Sequence, residues 1–193
     1  MSLIPNFKIG IWNAWILMVL IYAASFIPLY IDKDKMEKRG EGEPGWSQLN
    51  RNTKITFIIT HMIIMPFTLI YSIFLPLKPG AIWFYAGLVI YLFGWVLVLL
   101  TGISFSTAPL GVPMTKGVYA ISRNPGYFGL FLGYTGTGIA CTSWVFFLCA
   151  LVWIIAWNYG VIEEERIMIE KYGDAYEQYM KQTPRWIGLP KNR

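Results

Sequence analysis

A chain of 193 residues that is 55% hydrophobic, 17% aromatic and only 14% charged has the length of one domain and too little polar surface to solvate itself, which excludes an ordinary soluble globule. A net charge of +5 would point to nucleic acid in a soluble protein; in so apolar a chain it reports membrane sidedness, and no nucleic-acid partner is expected. Cys141 and Cys149 lie in apolar sequence without paired spacing or an acid and histidine set around them, so both are expected as buried fillers, with no disulfide framework and no metal centre.

The opening MSLIPNFK leads into Ile9–Ile31, too long for a signal-peptide core and therefore the start of a retained first span. The segment Asp32–Pro44 mixes both charges with glycines and reads as a solvated loop near lipid headgroups. Two further apolar blocks, Ile55–Leu77 and Ala81–Ile103, have the length a helix needs to cross the hydrocarbon. His61 lies in the first of them, and a neutral histidine without acidic neighbours is expected as an interhelical hydrogen-bond partner. The next apolar run, 126–162, overshoots a single crossing, and Gly136, Gly138 and Thr142-Ser143 offer a place to turn; it divides into 126–140 and 143–162. The expectation is an all-α integral membrane protein, one domain over 1–193, with about five transmembrane helices.

Five spans put 14 of the 16 lysines and arginines on one face, leaving Lys8 and Lys78 on the other. The bias assigns the crowded face to the cytoplasm, with the N-terminus outside and the C-terminus inside. The very short outer turns suit a prokaryotic plasma membrane.

After the last span, helix-forming residues continue, with Ile162, Ile169, Tyr172, Tyr176 and Tyr179 spaced to share a broad face. Tyr176 and Tyr179 either lie on the membrane interface or cover a pocket. Glu163, Glu164 and Glu165 come where this helix leaves the hydrocarbon; successive residues turn by about 100°, so one or two at most serve a common site. Between two apolar blocks stands GVYAISRNPGYFG, Gly117–Gly129. There Pro125 drives Asn124 away from helical angles and starts the next helix, while Gly126 and Gly129 admit another backbone or a flat ligand. Arg123 can pair with one of the glutamates or hold a carboxylate in its fork of donors.

The run TKGVYAISRNPGYFG, followed by EERIMIEKYGDAYEQY, resembles the isoprenylcysteine carboxyl methyltransferase family and, more broadly, the membrane methyltransferases that include phospholipid N-methyltransferases. The resemblance extends from Gly111 to Trp186. It implies a cytosolic pocket for S-adenosylmethionine and a lipophilic or prenylated acceptor that arrives from the bilayer, among membrane lipids. Tyr119, Asn124, Pro125, Gly126 and Tyr127 would line the cofactor pocket, with Glu164 on the cofactor's polar end. The loop of Gly111, Val112, Pro113 and Met114 would give main-chain contacts. Arg123 and Glu165 are the expected catalytic pair, the arginine anchoring a carboxylate or bracing the loop, the glutamate accepting a proton should the acceptor be an amine.

Two positions depart from the family pattern. Its usual Arg-His-Pro has Asn124 in place of the histidine, and the arginine that prenylcysteine enzymes carry four residues before the acid pair is Gly160. The implied activity is carboxyl methylation of an isoprenylcysteine-like substrate, with a phospholipid or other lipid as the alternative. Membrane sterol reductases share an Arg-x-Pro-x-Tyr signature and use a nicotinamide, but the acid pair and tyrosine tail favour methyl transfer. A transporter or lipid-binding protein would place polar groups along a mid-bilayer path, and apart from His61 the spans offer almost none.

Overall fold

A computed structural model describes residues 8–40 and 49–188. All of its regular structure is helical among these residues, in keeping with apolar runs that must satisfy their backbone groups internally. The helices are α1 (Trp15–Ile31), α2 (Lys33–Gly40), α3 (Arg51–Phe57), α4 (Met65–Ser72), α5 (Ile82–Thr107), α6 (Pro125–Ala140), α7 (Trp144–Tyr172) and α8 (Asp174–Gln182). A π-helical turn, Ile58–Ile64, joins α3 to α4 in one continuous rod. Three helical stretches among the described residues are long and apolar enough to cross a bilayer: Arg51–Ser72, Ile82–Thr107 and Trp144–Tyr172. The other two apolar helices, α1 and α6, are shorter, at 17 and 16 residues.

Three sequence expectations need correction. The first apolar block is not helical from its start, because Asn13 is buried and its amide must find partners. Its Nδ2 donates to the carbonyls of Lys8 at 2.7 Å and Ile73 at 2.6 Å. The backbone beside it pairs with the end of the α4 segment, Ala14 N–H to the Leu75 carbonyl at 2.9 Å and Leu77 N–H to Trp12 at 3.0 Å. The charged segment expected as a loop after α1 forms α2 instead. Asp32 Oδ1 caps it by accepting from the Lys35 N–H at 2.9 Å, and Lys33 and Glu37 face each other one turn apart. Residues 41–44 of that segment lie outside the described residues. His61, third, makes no interhelical hydrogen bond among the described residues: its Nδ1 lies 2.9 Å from Thr60 Oγ1 on its own turn. Its ring stacks on Phe57 at 4.5 Å and packs against Trp153 and Trp157 of α7.

The α5–α6 pair sets the frame of the molecule. Glycines meet across it, so that a Cβ on Gly94 would sit 2.5 Å from the Gly129 carbonyl oxygen, and one on Gly129 would sit 2.8 Å from that of Gly94. Small residues let the two backbones touch, which is the main source of attraction between helices surrounded by lipid. α6 then reverses into α7 over Cys141–Ser143, where the Ser143 N–H donates to the Gly138 carbonyl at 2.8 Å. Between the helices Tyr22, Thr68 and Tyr134 join hydroxyls at 2.6 and 3.0 Å, so the buried polar groups of α1, α4 and α6 satisfy one another.

α7 continues without a break through all three glutamates. It stops at Gly173, whose φ of +55° is a conformation side chains rarely adopt and whose N–H closes on the Ile169 carbonyl at 2.8 Å. α8 then leads back over the end of the bundle, with Tyr176 and Tyr179 buried.

Candidate functional site

The turn before α6 is held from the C-terminal side. Asn124 lies outside the helical region, at φ −130° and ψ 53°, as the following proline favours, and Pro125 takes the first helical position. Its neighbours pair with the segment after α8: the Arg123 N–H donates to the Pro184 carbonyl at 3.0 Å, and the Gly188 N–H to that of Ile121 at 3.2 Å. Asn124 Nδ2 donates to the Arg185 carbonyl at 3.1 Å. Residues Thr183–Gly188 therefore form a strap across the turn.

The three glutamates of α7 divide as the helical rotation demands. Glu163 turns to Arg166, which donates from Nε at 3.0 Å. Glu164 accepts from the Tyr127 hydroxyl at 2.8 Å. Glu165 is buried, at 5% exposure, and meets two guanidinium groups. Arg185 forks both of its oxygens, Nε to Oε1 at 3.0 Å and Nη2 to Oε2 at 2.7 Å, while Arg123 Nη1 approaches Oε1 at 3.2 Å. With both oxygens engaged by guanidinium groups, Glu165 braces the strap against α7.

Tyr127 is fixed on three sides. Its ring lies 3.5 Å from that of Trp157, nearly parallel; its carbonyl accepts from Trp153 Nε1 at 3.1 Å; its hydroxyl is on Glu164. Two aromatic residues of α7 thus orient a side chain of α6 toward a carboxylate of α7.

These groups border a cavity of about 500 Å³. Tyr119, Arg123, Asn124, Pro125, Gly126 and Tyr127 contribute from the turn and the start of α6, and Glu164 and Glu165 from α7. Pro113 and Met114 reach it from the α5–α6 connection, and Tyr176 and Tyr179 cover it from α8. Gly111 and Val112 do not reach it. Gly111 forms a turn at φ +78°, and Val112 lines a neighbouring cavity that shares Pro113, Met114 and Tyr119 with the first.

Burial, with Glu165 nearby, pushes the Tyr176 phenol up to about 12, and burial raises Tyr179 further still. Both therefore stay neutral donors at physiological pH; Tyr179 spends its proton on the Tyr119 carbonyl at 2.7 Å. The Glu165 hydrogen bonds raise the Arg185 guanidinium above its already high value, so the brace is permanently charged.

Sequence reasoning missed Arg185, the cavity-lining pair Thr101 and Phe105 on α5, and Ile167 and Met168 on α7. The four-residue spacing of Thr101 and Phe105 puts them on one helical face, which was a usable signal only with the turn's position in hand. Nothing in the run Thr183–Trp186 distinguishes Arg185 from any other cation of the tail.

Residues 83–175 match the phospholipid methyltransferase family. Over 79 residues the chain is 34% identical to the protein-S-isoprenylcysteine O-methyltransferase of Schizosaccharomyces pombe, a match that covers 39% of this chain and 33% of that relative. The chain thus aligns with about a third of the relative's length. The family match spans the Arg-Asn-Pro-Gly-Tyr turn and Glu164, both of which border the cavity. Among its described residues the chain carries helices long and apolar enough to cross a membrane, and its similarity is to the phospholipid methyltransferase family and to an isoprenylcysteine O-methyltransferase.

Proposed function

We propose that the protein is an S-adenosylmethionine-dependent methyltransferase acting on a lipophilic acceptor drawn from the bilayer, with an isoprenylcysteine-like carboxylate as the acceptor. The observation that carries this reading is the Tyr127–Glu164 hydrogen bond, which joins the two sequence motifs at 2.8 Å across one cavity. The cavity fits the cofactor's chemistry. It offers a carboxylate for an ammonium, aromatic rings for an adenine and a cationic sulfur, and a buried guanidinium with uncommitted donors.

When bound, S-adenosylmethionine supplies a methyl group made electrophilic by its sulfonium. The protein's own task is positioning. Glu164 and Tyr127 hold the polar end, Tyr176 and Tyr179 exclude water from above, and the Glu165–Arg185 pair keeps the turn at its distance from α7. An ionised carboxylate acceptor forms its new O–CH₃ bond as the S–CH₃ bond breaks, and no proton need be moved. This agrees with a site whose second glutamate is occupied by arginines.

In the same reading, α1, the α3–α4 rod, α5, α6 and α7 make five crossings, with the N-terminus outside and the cavity on the cytoplasmic side. Lysine and arginine counts support that orientation.

A phospholipid or other lipid acceptor is the second reading, and Gly160 favours it. A Cβ there would lie 2.9 Å from Thr56 Cγ2 of α3 and 3.1 Å from the Trp157 ring, so the position faces a packed helix contact and has no room for a cationic anchor.

Calorimetric titration of the purified protein in mild detergent with S-adenosylmethionine and its demethylated product, with nicotinamide dinucleotides as controls, tests the cofactor. Saturable binding that Glu164→Gln abolishes is the expected result. Binding of a nicotinamide dinucleotide in place of the adenosyl compounds would replace the methyltransferase reading with a reductase.

A further inference from the structure

A second cavity, of about 680 Å³, lies at the end of α5 against the first, with Pro113, Met114 and Tyr119 common to both walls. Its polar lining comes from Ser104 and Thr107 of α5, Thr115 and Lys116 of the connection to α6, and Gln178 of α8. Among the described residues no carboxylate lines it. Lys35 of α2 adds a second ammonium at the rim: its Nζ donates to the Thr107 carbonyl at 3.1 Å, which uses one of its three donors. Thr107 spends its own hydroxyl proton on the Ile103 carbonyl at 2.8 Å, so Ser104, Thr115 and Gln178 are the neutral donors. Gly117 draws the loop in on α5, with φ at +64° and room for a Cβ only 3.3 Å from Ser104 Oγ. Two cations with neutral donors between them, and no acid to offset them, fit an oxyanion.

The surroundings decide which oxyanion. Val96, Leu100 and Ile103 are exposed, at 42%, 40% and 38%, and their spacing of four and three residues puts them on the face of α5 that ends at Thr107. With α5 crossing the bilayer, this stripe meets acyl chains, and the exposed Val112 carries apolar surface on to the cavity. A chain lying on the stripe delivers its headgroup to the two lysines. A free phosphate would have no use for the stripe. A zwitterionic headgroup would set its ammonium among Lys35 and Lys116 with no carboxylate to receive it, so a headgroup of net negative charge and without nitrogen is the better fit.

We propose that the second cavity is a site for the phosphate of a nitrogen-free anionic phospholipid, with Lys116 and Lys35 on the phosphate and the α5 stripe along an acyl chain. Such a lipid offers no amine to methylate. It is a resident ligand beside the first cavity, distinct from any acceptor, and its binding does not depend on the reaction proposed there.

Native mass spectrometry of the full chain in mild detergent, titrated with phosphatidylglycerol and with phosphatidylcholine of the same acyl chains, tests this. Phosphatidylglycerol is expected to bind about tenfold more tightly. Lys116→Gln and Lys35→Gln should each cut that preference about fivefold, the size of one lysine's attraction to an anionic lipid. Lys181→Gln removes an exposed lysine of α8 that does not line the cavity, and it should leave the preference unchanged. Ala175→Trp places a bulky ring in the cavity with both lysines intact and should abolish the preference.

Equal affinity for the two lipids overturns the proposal. So does a Lys181→Gln protein that loses as much as Lys116→Gln, since the attraction is then diffuse. Displacement of phosphatidylglycerol by inorganic phosphate or glycerol phosphate at comparable concentration assigns the cavity to a soluble anion, and the lipid falls away. Displacement by demethylated cofactor makes the hollow an extension of the first cavity, which equally removes the lipid site.

Discussion

Arg185 holds Glu165 by both carboxylate oxygens, at 3.0 and 2.7 Å, and in doing so ties the strap after α8 to α7 across the turn that opens α6. The glutamate side chain is 6% exposed and the arginine 33%, so the pair sits at the edge of the interior, where a matched fork outweighs its desolvation. Replacing Arg185 by Ala removes two charge-assisted hydrogen bonds and is expected to cost about 1.5–3 kcal/mol. Thermal unfolding in detergent should show a lowered midpoint, only partly restored in Arg185→Lys because an ammonium cannot fork. A midpoint equal to wild type in Arg185→Ala would remove the strap from the account of the site.

Tyr127→Phe keeps the ring on Trp157 and deletes only the hydroxyl that reaches Glu164. Affinity for the demethylated cofactor should fall about tenfold, with the unfolding midpoint near that of wild type, because the glutamate loses the donor that aims it. Calorimetry on the two proteins decides. Equal affinities would mean that Glu164 needs no help from α6, and the tie between the motifs would be one of shape alone.

Gly94→Ala places a methyl group against the Gly129 backbone of α6. Overfilling such a contact costs about 1–3 kcal/mol and parts the helices. The same shift moves the first turn of α6, which carries Gly126 and Tyr127, so cofactor binding should weaken together with stability. Full cofactor affinity in a clearly destabilised Gly94→Ala protein would show that the turn holds its position independently of the α5–α6 contact.

The two buried tyrosines of α8 make stability depend on alkaline pH. An unfolded tyrosine ionises near about 10, whereas folding pushes Tyr176 up to about 12 and Tyr179 higher. Between those values the folded chain binds more protons than the unfolded one, so stability falls as pH rises through that window and is untouched by these groups below it. Unfolding midpoints measured at neutral pH and above the ordinary tyrosine range should diverge, and the divergence should shrink in a Tyr176→Phe, Tyr179→Phe double variant. An undiminished divergence in that variant would assign the pH dependence to other groups.

Much of this molecule can be read from residue order. Long apolar runs have little choice in lipid but to become helices, since each backbone group must be satisfied within its own segment, and the turn between α6 and α7 falls at the Thr142-Ser143 pair that marks it. The division of Glu163, Glu164 and Glu165 among different partners follows from helical rotation alone. Pro125 announces the start of α6 by the angles it forbids to Asn124.

Contacts between distant segments are another matter, because composition does not say which surface a side chain will meet. Asn13 looks like an incidental residue in an apolar run until its amide is found closing the turn after α4, and that closure shortens the first helix. Arg185 is one cation in a basic tail until the strap lays it on Glu165 and the two close an ion pair. Gly160 reads as a missing anchor, yet it is a packing contact with Thr56. Local rules of angle, period and polarity determined the helices; which charges pair was decided only by the tertiary structure, since an ion pair depends on which cation the fold brings within hydrogen-bonding distance of a carboxylate.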